Sequence, residues 1–295
     1  MKILVIGGSY FFGRWFVQYA QKENEVTVVN RGNVPIGLET VREVVADRHD
    51  ADALSKLKEI DYDCIVDFCG YEEGDIKTIV DAIGKKGKRY IFVSTVDVYK
   101  KGAAPLLRED ALIEDPHLEG PVGEYITGKI KLESELVEAC QAAKMEYVSV
   151  RPAILYGPAN YAPRETLFFD WIRGAGQIVL PEEDDGKFQL IYVEEAANMI
   201  LRICGLQYAQ KAYNLCPCEI DDYDVLANAL REATGVDFKE LRLPVKDIIS
   251  RGIPLPFPLT EKESQLYAGD LARSLGVRHI SLAEGLSHSY KASSR

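Results

Sequence analysis

Short apolar runs alternate with amphipathic stretches along the first half of the chain. Six runs have the length and β-branched content of buried parallel strands, at residues 3–6, 25–30, 41–46, 64–68, 90–93 and 147–150. Helical spacing of apolar side chains opens at residue 12 and recurs over residues 51–57, 75–83 and 124–140. This alternation, with short connections, predicts an α/β fold with a doubly wound parallel sheet of six or seven strands.

The second half of the chain is less regular and richer in proline. Helical patterns remain at residues 193–203, 222–233 and 282–290. An acidic run at residues 182–185 is typical of a solvated turn. We expect a sheet domain at residues 1–158, with 188–215 as a candidate addition, and a smaller mixed C-terminal lobe at residues 159–295 that covers the carboxyl edge of the sheet.

A glycine-rich turn separates the first strand from the first helix. Gly7 can take the tight turn, and Gly13 lets the helix pack close to the strand, so that the helix N–H groups and dipole face a pyrophosphate. The spacing is not plain GxGxxG, and an ordinary strand-to-helix turn is the alternative. Its place at the start of an alternating chain favours a Rossmann-type dinucleotide site, with the contacts Gly7, Gly8, Ser9, Tyr10, Phe11, Phe12 and Gly13.

The end of the second strand bears on the type of dinucleotide. An acidic residue usually ends this strand in NAD sites and holds the ribose 2′-OH. Here Asn30 and Arg31 stand in that place, with no carboxylate. Arg31, helped by Arg14, can pair with a 2′-phosphate, so the cofactor is expected to be NAD(P), with NADP(H) favoured over NAD(H). The alternative is a solvated loop arginine. Asp47 and Arg48 follow the third strand, where a loop reaches the adenine.

The charge of the chain bears on its partners and compartment. A net charge of −11 argues against nucleic acid or an anionic membrane as the main partner. No apolar run approaches the ~18 residues of a membrane span. Six scattered cysteines are typical of buried free thiols in a reducing cytoplasm. Because Cys216 and Cys218 lack a second pair and a nearby histidine, no metal is expected.

Tyr125 and Lys129 form a Tyr-x-x-x-Lys pair on the helix predicted between strands five and six. Residues four apart share a helix face, and a nearby ammonium stabilises a phenolate and lowers its pKa. Such a tyrosine can exchange a proton with a carbonyl or alcohol while a nicotinamide moves hydride. About one such pair is expected by chance, so the spacing alone means little. The pair indicates a catalytic role because it falls at the start of the helix predicted between strands five and six. Thr95 ends strand five at the same sheet edge, where its hydroxyl can bind the same substrate oxygen.

At these motifs the chain resembles the extended short-chain dehydrogenase/reductase superfamily, in the branch called NAD-dependent epimerase/dehydratase. The resemblance rests on residues 7–13, 92–99, 125–129, 151–158 and 191–197. It implies a catalytic set of Thr95, Tyr125 and Lys129, with Lys129 also holding the nicotinamide ribose. Further cofactor contacts are expected at Gly70, Ser94, Pro152 and Ile154. Residues 7–14 and 30–32 look most like an atypical subgroup that includes chloroplast stem-loop-binding proteins.

The chain departs from the family pattern at three places. Tyr10 replaces the middle glycine of the family's G-x-x-G-x-x-G. Val96 and Asp97 stand where sugar 4,6-dehydratases carry Asp-Glu, so the elimination acid is missing. Phe188 stands where nucleotide-sugar enzymes often have an arginine. Candidates to replace that arginine at a substrate diphosphate are Arg164, Arg173 and Lys187. The alternative for each of them is an ordinary surface charge.

Two classes of function remain open. The first is an NAD(P)-dependent oxidoreductase or epimerase that acts at a hydroxyl or ketone carbon of a small, sugar-like substrate, with Tyr125 as general acid/base. The second is a non-catalytic dinucleotide-binding regulator or RNA-associated protein of the same fold. The Tyr–Lys pair and the net charge of −11 favour the enzyme. Its expected partners are a small-molecule substrate and a second copy in a homodimer.

Overall fold

The computed structural model describes residues 1–183 and 185–293 and contains a large parallel sheet and a smaller lobe. The strands in these residues are β1 (Lys2–Ile6), β2 (Glu25–Asn30), β3 (Val41–Val45), β4 (Tyr62–Asp67), β5 (Gly87–Val93), β6 (Glu146–Pro152), β7 (Ile154–Tyr156), β8 (Gln177–Pro181), β9 (Leu190–Tyr192), β10 (Ala212–Leu215) and β11 (Lys239–Leu243).

Helices connect and cover these strands. Those in the described residues are α1 (Phe11–Ala20), α2 (Ala51–Leu54), α3 (Asp75–Ile83), α4 (Gly120–Ala143), α5 (Glu165–Ala175), α6 (Val193–Gly205), α7 (Tyr223–Thr234), α8 (Val245–Ser250), α9 (Asp270–Ser274) and α10 (Leu282–Ala292). Short 3-10 turns cover Ser55–Glu59, Gly84–Lys86 and Val96–Val98. The helix predicted over residues 51–57 is therefore divided between α2 and a 3-10 turn, and α4 extends beyond its predicted ends.

The large sheet has seven parallel strands in the order β10-β6-β5-β4-β1-β2-β3. This arrangement confirms the predicted α/β, doubly wound, Rossmann-type fold. Its central strands are buried on both faces, as expected for parallel strands that lie between two helix layers, whereas the edge strand β3 is partly exposed. One core packs α1 and α6 against one face, and the other packs α3 and α4 against the opposite face. The strand order reverses at β1, since β2 and β3 follow on one side of it and β4, β5 and β6 on the other. A crevice opens there, at the carboxyl ends of β1 and β4.

The smaller lobe follows β6 and has its own aromatic core. In this core, β8 pairs with β11, and the rings of Phe188 and Phe257 stack 4.6 Å apart. The domain division after residue 158 stays a prediction. In the structure β10 joins the large sheet, α6 packs beneath it, and β7 pairs with β9. Asp184, within the predicted acidic turn, lies outside the described residues.

Candidate active site

A cleft of about 850 Å³ lies at the carboxyl edge of the large sheet, against the smaller lobe. The sequence-predicted residues that line it are Gly7, Gly8, Ser9, Tyr10, Phe11, Phe12, Gly13, Asn30, Arg31, Asp47, Arg48, Ser94, Thr95, Tyr125, Lys129, Pro152 and Ile154. Gly70 is not among the lining residues. Its contribution is a backbone carbonyl that accepts a hydrogen bond from the Lys129 ammonium at 2.9 Å.

The turn between β1 and α1 has the geometry of a phosphate cradle. Gly7 and Gly8 take φ values of +92° and +83°, which disfavour any side chain. A Cβ on Gly13 would lie 2.7 Å from the Cα of Gly8, so the helix packs directly on the turn. The Ser9 hydroxyl is buried without a hydrogen-bond partner among the described residues, and no side chain caps the start of α1. An orphaned donor beside a bare helix N-terminus fits the pyrophosphate of a dinucleotide.

The end of β2 differs from its sequence-based interpretation in one respect. A carboxylate from the neighbouring strand β3 lies beside this end, because Glu43 accepts a hydrogen bond from the Asn30 amide at 2.6 Å, but Glu43 is not among the residues that line the cleft. Asn30 in turn accepts from the backbone N–H of Gly32 at 2.7 Å, which shapes the loop that carries Arg31. Arg31 is exposed and lines the cleft, whereas Arg14 is not among the lining residues. Of the two candidate arginines, only Arg31 is positioned for a 2′-phosphate.

Arg48 is held by acidic groups and is not free to approach an adenine. Its guanidinium lies 2.6 Å from the Asp67 carboxylate and 3.1 Å from that of Asp75. Tyr90 also donates to Asp67, at 2.7 Å. Burial lowers the pKa of Arg48, but Asp67 and its neighbours more than offset this and keep it raised. This buried network fixes the ends of β4 and α3, so Arg48 forms part of the cleft wall. Asp47 remains exposed in the lining.

Lys129 lies at the floor of the cleft and is only 3% exposed. Its ammonium donates to the carbonyls of Gly70 and Val93, both at 2.9 Å. Of its three N–H donors, these contacts leave the third for a ligand. Burial lowers the pKa of Lys129 to about 8, while Asp67 acts in the opposite direction. A buried cation in the same cleft as the glycine cradle, held by the end of β5 and the loop after β4, favours an oxygen-rich ligand.

Tyr125 stands one helical turn before Lys129, at the cleft mouth, and is 43% exposed. The Lys129 ammonium lies 5.8 Å from the centre of its ring, because two carbonyls hold that ammonium. The pKa of Tyr125 is raised, first by burial and then by the negative charge of Asp97. Lys129 is not among the main influences on this pKa, so the expectation that it lowers the pKa of Tyr125 stays a prediction.

Thr95 caps the 3-10 turn that follows β5. It is 7% exposed, and its hydroxyl oxygen accepts from the backbone N–H of Asp97 at 3.2 Å. The same hydroxyl lies 3.0 Å from the Asp97 carboxylate. Thr95, Tyr125 and Lys129 thus line one cleft, although Thr95 is bonded to Asp97 rather than to Tyr125.

A second buried network, not predicted from the sequence, fixes the elements that carry these three residues. Arg151 on β6 binds Glu133 on α4, with a shortest distance of 2.6 Å, and donates to the Tyr99 hydroxyl at 2.7 Å. Tyr99 donates onward to Asn214 on β10 at 2.6 Å. The Arg151 guanidinium holds the pKa of Glu133 below its usual range, although burial opposes it. Because Glu133 lies one turn beyond Lys129, this network holds α4 in register with the sheet.

The far end of the cleft is formed by the smaller lobe. Arg164 and Lys187 line it: Arg164 donates to the Leu155 carbonyl at 2.7 Å, and Lys187 lies 2.8 Å from Asp222. Arg173 does not reach the cleft, because it packs on the Tyr290 ring 4.4 Å away. Further lining residues that were not among the predicted contacts include Cys69, Tyr71, Tyr161, Gln265 and Tyr267.

Comparison with known proteins adds the family. A model described as the NAD dependent epimerase/dehydratase family matches residues 3–216, which carry the cradle, Thr95, Tyr125 and Lys129. The chain belongs to this family. Membership confirms the resemblance drawn from the motifs and the predicted enzyme class, an epimerase/dehydratase of the extended short-chain dehydrogenase type.

The individual relatives carry different names. A protein of Arabidopsis thaliana, chloroplast stem-loop binding protein of 41 kDa b, is 28% identical over 98% of this chain and 78% of its own. A UDP-glucose 4-epimerase of Vibrio cholerae is 35% identical, over 30% of this chain and 27% of its own.

Solved structures show the likeness of the fold. The UDP-N-acetylglucosamine 4-epimerase of Methanobrevibacter ruminantium superposes with a TM-score of 0.78 at 18% identity, over 99% of this chain and 97% of its own. The UDP-glucose 4-epimerase of Thermus thermophilus, solved as a complex with NAD, gives 0.72 at 17% identity, over 99% and 98%. Within the described residues, no helix is long and apolar enough to cross a membrane.

Proposed function

We propose that the protein is an NAD(P)-dependent enzyme that oxidises a hydroxyl, or reduces a ketone, on a small sugar-like molecule. The observation that carries this proposal is the position of Lys129. Its buried ammonium lies one helical turn from Tyr125, in the cleft that Thr95 and the cradle of residues 7–13 also line. A bound nicotinamide supplies hydride transfer.

The chain's own residues divide the remaining work. Ser9 and the first N–H groups of α1 bind the pyrophosphate, and Lys129 binds the nicotinamide ribose through its third N–H. Tyr125 exchanges a proton with the substrate oxygen, and Thr95 positions that oxygen. Since the pKa of Tyr125 is raised, its phenol is protonated at neutral pH and is ready to donate to a ketone oxygen. In the direction of alcohol oxidation, the bound cofactor's positive charge is expected to favour the phenolate.

The cofactor preference is a separate part of the proposal. Neighbouring structures hold NAD, and this chain has Arg31, exposed in the lining of the cleft, at the end of β2. We propose that Arg31 binds the 2′-phosphate and that NADP(H) is favoured over NAD(H). Glu43 is held by Asn30 and by the backbone N–H of Ile36 at 3.2 Å, so it remains behind the loop.

The substrate class is proposed from the relatives. Several structural neighbours act on UDP-sugars according to their names, and the far end of this cleft presents Arg164 and Lys187 to a ligand. We further propose that the enzyme is cytoplasmic, works as a homodimer and does not require nucleic acid. The free cysteines among the described residues support the cytoplasmic location. The net charge of −11 supports a function without nucleic acid. Light scattering measures the oligomeric state.

The test is cofactor reduction by candidate substrates. The protein is mixed with NAD⁺ or NADP⁺ and a panel of UDP-sugars, free sugars and simple alcohols, and absorbance near ~340 nm is followed. Matched reactions with NADPH and ketones test the reverse direction. The proposal predicts a signal with at least one sugar and its loss in Lys129→Ala. Because an epimerase returns the hydride to its substrate and leaves no net change in absorbance, the sugars are also recovered and separated by chromatography. Cofactor binding with neither an absorbance change nor a converted sugar would instead favour the regulatory protein.

A further inference from the structure

The Thr95 hydroxyl has an acidic neighbour that the family resemblance did not assign to it. Its oxygen lies 3.0 Å from one carboxylate oxygen of Asp97. An ionised carboxylate has no proton to give, so the threonine must be the donor in this bond. The oxygen of the same hydroxyl also accepts from the backbone N–H of Asp97 at 3.2 Å. The proton and one lone pair of Thr95 are therefore both directed at Asp97.

The local fold holds Asp97 in this place. Its neighbours Val96 and Val98 are 4% and 0% exposed and pack into two separate apolar clusters. The 3-10 turn between them leaves the side chain of Asp97 exposed on the cleft wall. Because the turn is anchored on both sides of Asp97, the carboxylate stays within reach of Thr95.

We propose that Asp97 is a positioning residue that turns the Thr95 proton away from the reacting centre. The remaining lone pair of Thr95 then faces the cleft, where it accepts a hydrogen bond from a substrate hydroxyl. The site thereby favours the alcohol form of the substrate at Thr95 while the Tyr125 phenol is protonated and donates to the same oxygen. For oxidation, the substrate hydroxyl turns its proton from Thr95 to the Tyr125 phenolate. This inference rests on the proposed function for its role in turnover.

The charges around this group agree with such a role. Asp97 acts on two phenols of the cleft, Tyr125 and Tyr267, and raises the pKa of each in addition to the effect of burial. Tyr125 also meets the phenols of Tyr71 and Tyr161, which raise its pKa, and Arg164, which lowers it. Removal of the Asp97 charge therefore changes the proton affinity of Tyr125 as well as the orientation of Thr95.

Two variants separate orientation from charge. Asp97→Asn keeps an oxygen that can accept the Thr95 proton but loses the charge, whereas Asp97→Ala loses both. In protein with ¹³C-labelled threonine, the three-bond couplings of the Thr95 hydroxyl proton report the direction of the O–H bond, and Thr95→Val identifies the resonance. The backbone N–H of residue 97 still holds the Thr95 oxygen in both variants, so the side-chain rotamer is not the readout. The proposal predicts one O–H direction in the wild type and in Asp97→Asn, and averaged couplings in Asp97→Ala. A single O–H direction in Asp97→Ala, or averaging already in Asp97→Asn, would overturn it.

Kinetics then test the functional part on whichever sugar of the panel is turned over. Asp97→Ala is expected to lower kcat about 10-fold relative to Asp97→Asn, which lacks the same charge, and the two variants should be equal when Thr95 is already replaced by valine. A difference between them that persists without the Thr95 hydroxyl would show that Asp97 does not act through Thr95. The pH profile of Asp97→Asn should shift to lower pH, because the phenol of Tyr125 loses a negative neighbour. If no sugar is turned over, the proposed function fails, and the couplings still decide whether Asp97 orients Thr95.

Discussion

At the scale of single residues, the cleft depends on one buried cation. On folding, the ammonium of Lys129 leaves water and donates hydrogen bonds to two backbone carbonyls. Its burial lowers the pKa to about 8, well below that of a free lysine. The sequence indicated the Tyr-x-x-x-Lys spacing but not which groups hold the ammonium. Val93 ends β5 and Gly70 lies in the loop after the neighbouring strand β4, and only the fold brings their carbonyls together.

The depressed pKa of Lys129 makes stability depend on pH. Between about pH 8 and 10.5 the unfolded chain binds a proton that the folded chain does not, so the lysine's destabilising effect is complete below pH 8 and fades above it. Lys129→Met removes this effect. Urea unfolding should show the variant more stable than wild type by up to about 2 kcal/mol at pH 7, with the difference shrinking by pH 9.5. An equal difference in the free energy of unfolding at pH 7 and pH 9.5 would contradict a pKa of about 8 for Lys129 in the folded protein.

Arg31 is the residue on which cofactor preference depends. A charge-assisted contact with a 2′-phosphate is worth about 1.5–3 kcal/mol, so Arg31→Ala should weaken NADP⁺ binding at least ~10-fold more than NAD⁺ binding. Calorimetric titration of both cofactors measures this ratio. Arg14→Ala is the matched control, because it removes the same charge at a position outside the cleft lining. Equal losses for both cofactors would show that Arg31 is a solvated loop residue.

At the scale of elements, the parallel strands and the helices between them followed from local patterns. Residues 3–6 and 26–29 are continuous apolar or β-branched runs with clear limits, and both lie in strands. Contacts between distant segments were not predictable in this way. Glu43 reaches Asn30 because β3 pairs in parallel with β2, and β10 joins the sheet some 60 residues after β6. No local periodicity encodes such pairings.

The junction of β1 and α1 is the element that the cofactor site depends on most. Gly13→Ala places a methyl group 2.7 Å from the backbone of Gly8, so α1 must shift away from the turn. We expect a loss of about 1–3 kcal/mol in stability and at least ~10-fold in cofactor affinity. Gly174→Ala on α5 is the matched control, since its added Cβ meets nothing within 4 Å. That change should be neutral or slightly stabilising by thermal unfolding.

At the scale of the whole molecule, charge distinguishes the two classes of function. The Arabidopsis thaliana relative is named for stem-loop binding, whereas this chain has a net charge of −11. Nucleic-acid binding requires cations that replace condensed counterions. Fluorescence anisotropy with a labelled stem-loop RNA should therefore show no binding tighter than about 10 µM at physiological salt. Tight binding that weakens steeply as salt is raised would favour the RNA-associated protein.

The central claim is that Tyr125 transfers the proton in this cleft, and Tyr125→Phe tests it most directly. The change removes the hydroxyl and keeps the ring, so cofactor affinity and thermal stability should match the wild type. Proton transfer by a positioned group is worth about 10²–10⁴-fold, and kcat on the substrate found in the panel should fall by that factor. A Tyr125→Phe protein with near-normal turnover would contradict the account.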